Sequence, residues 1–186
     1  MDPNQQQLLL GYGGAGDKVY AEDVFANSRY DGATGQSLRV YNGINLDTTA
    51  DPPGGGMIMS KAVNASTNWV ICDTARGTNQ YLSTNSSGGP NGSHGFNGYY
   101  TDGFNVNNNS ETNVNEGGRI YQNFTWKKQK GFFDVVKYTG DGASSRGIQH
   151  ELDAEIGFMV IKNINSGEWY SYHLSLIHIS EPTRPY

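Results

Sequence analysis

Short runs of alternating apolar and polar residues recur along the whole chain, while the spacing of an amphipathic helix is nearly absent. Segments rich in glycine, asparagine, aspartate and proline, such as DPPGGG and TGDGASS, separate these runs and are typical of turns. Many short strands joined by frequent turns predict an all-β protein, either an antiparallel β-sandwich or a barrel. The runs predicted as strands are 37–42, 57–62, 68–73, 119–126, 132–138, 157–162 and 168–173.

The run RIYQNFTW (119–126) shows which side chains such a strand places together. Alternate residues of a strand point to opposite faces, so Gln122, Phe124 and Trp126 share one face. Because large aromatic side chains are usually buried, we expect Phe124 and Trp126 to face a core.

The chain contains an internal repeat. Phe25, Tyr30 and Gly32 recur with the same spacing as Phe133, Tyr138 and Gly140. Further matches follow in the same order, pairing Arg39 with Arg146, Leu46-Asp47 with Leu152-Asp153, 57–61 with 158–162, and Trp69 with Trp169. The offset between paired residues decreases along the chain, as loop deletions would produce. The repeat predicts a duplicated β unit.

The repeat sets the expected domain organisation. We expect a leader at 1–19, a complete first β-sandwich module at 20–130, and the N-terminal part of a second module at 131–173. The first copy continues after Trp69 through 102–106 and 119–126, and the second copy lacks counterparts of these strands. The second module is therefore predicted to be truncated.

Composition and charge argue against several classes of function and of structural site. Hydrophobic residues make up 35% of the chain, aromatic residues 12%, and glycine contributes 25 residues, which suits short strands and turns rather than disorder. The net charge is −5 and 77–118 contains no Lys or Arg, so nucleic-acid binding is not expected. The single Cys72 excludes a disulfide framework and a cysteine-rich zinc site. No apolar run approaches the length of a membrane span, and the N-terminus is unlike a signal peptide.

Three patterns associated with catalysis or cofactors have simpler interpretations. GYGGAG (11–16) matches G-x-G-x-x-G, but no helical pattern follows it, so we expect a leader and no cofactor. Glu151, Asp153 and Glu155 alternate and would share one face of a strand, an arrangement that suits paired glycosidase carboxylates, but a solvated strand end is the favoured interpretation. His94, His150 and His173 lack metal-ligand spacing, and we expect His150 to make a structural hydrogen bond.

Polar and aromatic residues in two regions are the candidates for ligand binding. Asp73 and Arg76 form a turn in which the guanidinium can bond the carboxylate, which predicts a structural corner or a ligand contact. Tyr99 and Tyr100 lie in a predicted loop, 83–115, rich in Asn, Ser and Gly, a mixture that suits sugar binding. A Ca²⁺ site is a weaker alternative, for which the candidate ligands are Asp31, Asp47, Asp51 and Asp141. No catalytic and no metal-binding residues are predicted.

Several blocks resemble one known family. The blocks are DVFANSRYDGATGQSLRVYNGINL, GGGMIMSKA, CDTARGTNQYLSTN, TDGFNV and RIYQNFTWKKQKGFFDVVKYTGDG. Together they resemble repeated modules, of unknown function, in the structural proteins of tailed phages. The resemblance covers about residues 20–173 and implies a jelly-roll sandwich of the concanavalin or laminin-G type.

The resemblance also implies a function. It suggests a non-catalytic phage virion protein, similar to a tail fibre, with a surface that contributes to recognition of host glycans. Expected partners are other virion proteins, host-surface glycans and further copies of the chain, in a homo-oligomer such as a trimer located in the virion after synthesis in the host cytoplasm. The alternatives are a carbohydrate-binding module of a polysaccharide-active protein and, third, a glycosidase.

The last thirteen residues differ in character from the rest. LSLIHISEPTR (174–184) resembles the translation of a transposase adapter used in preparing short-read libraries. We therefore interpret 174–186 as an adapter-derived segment and expect it to contribute no partner site.

Overall fold

The predicted all-β class is confirmed. The computed structural model describes residues 19–33, 35–90, 95–107, 114–165 and 167–174. One short helix, α1 (Ala21–Val24), precedes the strands. The strands are β1 (Phe25–Asp31), β2 (Leu38–Tyr41), β3 (Gly56–Ala62), β4 (Val70–Asp73), β5 (Leu82–Ser83), β6 (Phe96–Tyr100), β7 (Gly103–Val106), β8 (Ile120–Lys127), β9 (Phe158–Lys162) and β10 (Trp169–His173).

Two antiparallel sheets share one core. The larger sheet has the order β1-β8-β3-β4-β5, and the smaller has the order β2-β7-β6. Buried side chains from both sheets pack together, among them Val40, Ile58, Cys72, Phe96 and Phe104. Two sheets that bury their inner faces against each other have the architecture of a β-sandwich.

Cys72 lies at the centre of this core. Its side chain is buried, and its thiol donates a hydrogen bond to the carbonyl oxygen of Gln80 at 3.1 Å. Burial raises the pKa of the thiol well above its ordinary value, although the nearby Arg76 guanidinium opposes the increase.

The orientation predicted for β8 is wrong. Tyr121, Asn123 and Thr125 face the core and are almost fully buried, whereas Phe124 and Trp126 lie half-buried on the outer face. Hydrogen bonds satisfy two of the buried polar side chains at these inner positions. Asn42 Nδ2 donates to Thr125 Oγ1 at 2.9 Å, and the Tyr121 hydroxyl accepts from the Glu116 backbone amide at 3.0 Å.

Aromatic side chains cover one another on the outer face. The Phe124 ring lies 5.6 Å from Trp69 and 6.4 Å from Phe25, measured between centroids. Trp126 stacks on Phe133 at 6.3 Å, so the segment after β8 folds back over this face. Contacts between rings on neighbouring strands bury their apolar surface without a second sheet.

The remaining strands, β9 and β10, form a separate hairpin with the same register as the β3–β4 hairpin. Met57 pairs with Asp73 in the first hairpin, and Phe158 pairs with His173 in the second. These residues correspond in the internal repeat, so the repeat extends to strand pairing. The division into two modules stays a prediction.

Two sequence-based expectations about strands are corrected. Residues 132–138 do not form a strand and make only an isolated bridge between Gln129 and Phe133. The corresponding strand β1 pairs with β8, and within the described residues no strand stands beside 132–138 in that way. Conversely, the predicted loop 83–115 contains β6, which was not expected, beside the strand expected at 102–106, which is β7. The glycines of this segment permit the close pairing of the two strands.

Some predictions fall outside the described residues, namely those for GYGGAG, His94 and 175–186. In the part of the chain that the structure describes, no helix has the length and apolar character needed to cross a membrane.

Candidate functional site

The outer face of the three-stranded sheet gathers polar and aromatic side chains from β2, β6 and β7. In the register of this sheet, Tyr41 pairs with Gly103, and Gly103 with Tyr100. The next row joins Arg39, Asn105 and Gly98. Partners in a row point to the same face, whereas the flanking Val40 and Phe104 are buried in the core. We call the group Arg39, Tyr41, Tyr100, Asp102 and Asn105 the tyrosine face.

Arg39 organises the tyrosine face. Its guanidinium carbon lies 3.3 Å from the centroid of the Tyr100 ring and 5.4 Å from that of Tyr41. The guanidinium also forms a salt bridge with Asp102. A cation held over an aromatic ring and paired with a carboxylate is fixed in orientation, so its remaining N–H groups point in defined directions.

The accessible part of the face centres on Tyr41. The Tyr41 side chain is 71% exposed, and the Asp102 side chain is 50% exposed. The Asn105 side-chain amide donates to the Tyr100 hydroxyl at 3.3 Å. Within the described residues, Arg39 Nε and Asn105 Oδ1 are buried and make no hydrogen bond, so they lie beneath the accessible part of the face. The face thus offers an exposed ring beside a carboxylate that is half-exposed.

Two glycines permit the close packing seen here: Gly103 permits the pairing of β7 with β2, and Gly98 permits the position of the Tyr100 ring. Gly103 has φ of +150°, and a Cβ there would overlap the carbonyl oxygen of Val40. A Cβ on Gly98 would lie 2.7 Å from the Tyr100 ring. Hence the Tyr100 ring lies over backbone, and Gly103, which pairs with both Tyr41 and Tyr100, adds no side chain where the Arg39 guanidinium lies over the two rings.

The other predicted ligand residues have structural roles. Asp73 and Arg76 form an ion pair whose side chains are only 5–6% exposed, with Arg76 Nε donating to Asp73 Oδ2 at 2.6 Å. Arg76 also donates from its backbone amide to Asp73 Oδ1 at 2.8 Å. The pair thus forms a structural corner, which is one of the two roles that the sequence predicts for it; the other is a ligand contact.

Tyr99 points into the molecule rather than toward a ligand. Its hydroxyl lies within hydrogen-bonding distance of the carbonyl oxygens of Asp73, at 3.2 Å, and Gly77, at 3.3 Å. Burial raises the pKa of Tyr99 above its ordinary value near 10. Of the four predicted residues, the structure places only Tyr100 on the tyrosine face.

A family model described as a domain of unknown function (DUF7483) matches residues 22–183. The chain belongs to this family. The DUF7483 match continues past His173, into the segment interpreted as adapter-derived, and that interpretation stays a prediction. No curated protein and no solved structure matches the chain.

The acidic residues considered for glycoside hydrolysis are not arranged as a strand in this DUF7483 protein. Residues 151–155 have irregular structure. Glu151 forms a salt bridge with Lys128 at 3.4 Å, and Asp153 one with Lys130 at 3.4 Å. His150 makes the predicted structural hydrogen bond, in which its Nδ1 accepts from the Leu152 amide at 3.3 Å.

A cleft of about 450 Å³ lies beside these salt bridges. Its lining includes Thr48, Thr74, Lys128 and Glu151 and has no aromatic side chain. Lys128 is already paired with Asp134 at 3.2 Å as well as with Glu151. Among the described residues, the cleft therefore lacks the aromatic ring that the tyrosine face offers.

The aspartates proposed as Ca²⁺ ligands do not come together. Among the described residues, no three His, Cys, Asp or Glu side chains form a group that could hold a metal ion. Asp47 accepts hydrogen bonds from the Thr49 hydroxyl and backbone amide, and these lower the pKa of its carboxyl. Asp141 pairs with Arg146 at 3.5 Å.

Proposed function

We propose that this chain is a non-catalytic structural protein of a tailed-phage virion, similar to a tail fibre, and that its tyrosine face binds host-surface glycans. The proposed fold type is a jelly-roll sandwich of the concanavalin or laminin-G kind. Support for the virion role comes from the resemblance of the five sequence blocks. Support for glycan binding comes from one observation, the exposed Tyr41 ring beside the Arg39–Asp102 pair.

The chemistry of this face matches that of a hydroxyl-rich ligand. The apolar side of a pyranose ring stacks on an exposed aromatic ring, while carboxylate and guanidinium groups bond its hydroxyls. The Tyr41 ring is 71% exposed, so a sugar on this face would keep much of its own surface in solvent and each site would bind weakly. In a homo-oligomer such as a trimer, several weak sites acting together would provide avidity to a glycan-coated cell.

The proposal extends to location and partners. The protein would be made in the host cytoplasm and assembled with other virion proteins, so that the tyrosine face points outward. A carbohydrate-binding module of a polysaccharide-active protein would use the same face. The two roles differ in one observable, because only the virion protein is found in purified phage particles, where mass spectrometry detects it.

Glycan binding is tested by screening the protein on an array of bacterial surface oligosaccharides and titrating a bound glycan by NMR. Tyr41→Ala is expected to weaken binding about tenfold, equivalent to about 1.4 kcal/mol, because the stacking ring is removed. Tyr170→Ala is the matched control, since Tyr170 is similarly exposed, at 64%, but lies on β10. If Tyr41→Ala and Arg39→Met both bind like the unmodified protein, the tyrosine face is not the glycan site.

A further inference from the structure

The central strand β3 shows how a strand of this protein uses both of its edges. The Thr74 amide donates to the Gly56 carbonyl at 3.0 Å on the β4 side. On the other side, the Lys128 amide donates to the Gly55 carbonyl at 2.8 Å, next to β8. Backbone groups of successive residues alternate between the two edges, so Met57, Met59 and Lys61 bond β8.

The hairpin β9–β10 repeats one half of this arrangement. The Leu174 amide donates to the Gly157 carbonyl at 2.9 Å, which is the counterpart of the bond between Thr74 and Gly56. The same alternation then directs the backbone groups of Phe158, Val160 and Lys162 away from β10. Within the described part of the chain, no strand pairs with this edge of β9.

Side chains at this edge are exposed where their counterparts are covered. Phe158 is 63% exposed and Val160 is 49% exposed. Their counterparts Met57 and Met59 in β3 are half-buried, and they pair with Trp126 and Phe124 of β8. An edge strand with apolar side chains and free backbone groups is a template for pairing with another chain.

The geometry points to the free edge of β9 as an acceptor for one antiparallel strand with the alternation of β8, supplied by another protein chain. In the register of β3 and β8, the incoming strand places an aromatic residue opposite Phe158, a second opposite Val160, and a carboxamide opposite Lys162. The molecule's own β8 cannot serve, because β1 and β3 occupy both of its edges. This acceptor site is independent of the tyrosine face and of glycan binding.

The test uses a synthetic peptide, RIYQNFTWKK, with the sequence of residues 119–128. A fluorescently labelled peptide is titrated with the full chain and followed by anisotropy, with a peptide of scrambled order as the reference. Val160→Pro is expected to weaken binding at least about tenfold, because it removes an amide that points to the free edge. Ser171→Pro is the matched control, since the Ser171 amide points away from β9 on the opposite edge of the hairpin.

A second arm leaves the protein unchanged, so it does not depend on the folding of a variant. In β8 the amide of Phe124 faces β3 and the amide of Asn123 faces β1, as the bond from Lys128 to Gly55 requires. N-methylation of the peptide at the Phe124 position should abolish binding, and N-methylation at the Asn123 position should preserve it. Equal effects of the two methyl groups would overturn the proposal.

Two further outcomes would also overturn it. One is binding that survives Val160→Pro but is lost in Ser171→Pro, which would place the acceptor edge on β10. The other is a dimer of the protein alone that Val160→Pro dissociates, with no peptide binding. That result would make the occupant a second copy of β9 rather than a strand of the β8 kind. Light scattering of the protein without peptide distinguishes this case.

Discussion

Asp73 and Arg76 form a buried ion pair, and a single substitution in it should change the free energy of unfolding. Arg76→Met leaves the Asp73 carboxylate buried without its cation. Removing one partner of a buried pair typically costs about 3–5 kcal/mol. We therefore expect a loss of that size in the free energy of unfolding, measured by urea denaturation.

The control for this prediction is the exposed pair of Arg119 and Glu116, which joins side chains 25% and 42% exposed. Arg119→Met should change the free energy of unfolding by less than about 1 kcal/mol, because solvent screens such pairs. Similar losses in the two variants would show that burial does not govern the contribution of Arg76.

Residue roles were partly predictable from the sequence. The short spacing of Asp73 and Arg76 indicated a corner, because a turn brings such residues together whatever the rest of the fold does. The alternation in β8 separated two faces but did not tell which was inner, since both faces carry aromatic rings. The hydroxyl of the buried Tyr121 accepts a hydrogen bond from the Glu116 amide, whereas Trp126 is covered by Phe133, which follows it in the chain.

At the scale of elements, Gly103 controls the pairing of β7 with β2. Gly103→Ala would combine a φ of +150°, which side chains rarely adopt, with an overlap on the Val40 carbonyl. We expect a loss of about 1–3 kcal/mol in the free energy of unfolding and faster hydrogen exchange in β2.

Gly147→Ala is the reference for this variant, because a Cβ at Gly147 would have no atom within 4 Å. Its free energy of unfolding should stay within about 0.5 kcal/mol of the unmodified protein. Unchanged exchange of the β2 amides in Gly103→Ala would mean that the sheet tolerates the side chain.

Elements could be predicted where the apolar pattern was clear, but pairing could not. Residues 132–138 have the alternation of a strand, yet a strand forms only beside a neighbour with a free edge. In the opposite case, β6 lay hidden in a sequence of glycine and asparagine, because its pairing with β7 depends on close backbone approach rather than on apolar side chains.

At the scale of the whole molecule, two buried tyrosines tie stability to alkaline pH. Tyr30 lies on the larger sheet, and its hydroxyl donates to the Val114 carbonyl oxygen. Tyr99 lies on the smaller sheet, and its hydroxyl is within hydrogen-bonding distance of the Asp73 carbonyl oxygen at the end of β4. Burial raises the pKa of both hydroxyls above the ordinary value near 10. Their contribution is therefore complete below pH 10 and is lost as the pH rises above 10 toward the folded-state pKa values.

The expected slope follows from proton linkage. Above pH 10 each tyrosine releases its proton on unfolding, so the free energy of unfolding falls by about 1.4 kcal/mol per pH unit for each. Tyr99→Phe should reduce the slope by one such contribution, measured by urea denaturation at several alkaline pH values. An unchanged slope in Tyr99→Phe would show that its hydroxyl ionises alike in both states.

The tyrosine face could not be predicted from the sequence, because it depends on the pairing of strands that are distant in the chain. Arg39 and Asp102 are separated by 63 positions and meet only because β2 pairs with β7. Composition predicts Tyr100 as a ligand residue, but its partners Arg39 and Tyr41 lie on a strand whose sequence has no pattern typical of a binding site. Local patterns predict which segments are strands, whereas a site made by two strands depends on their register.

The thiol of Cys72 can report how often the two sheets separate. It is the single cysteine of the chain, and its thiol is both shielded by the two sheets and disfavoured as a thiolate. A thiol-modifying reagent can therefore react only when the sheets separate. The labelling rate measures how often the sandwich opens, and any substitution in either sheet can be compared on that one timescale without adding a probe.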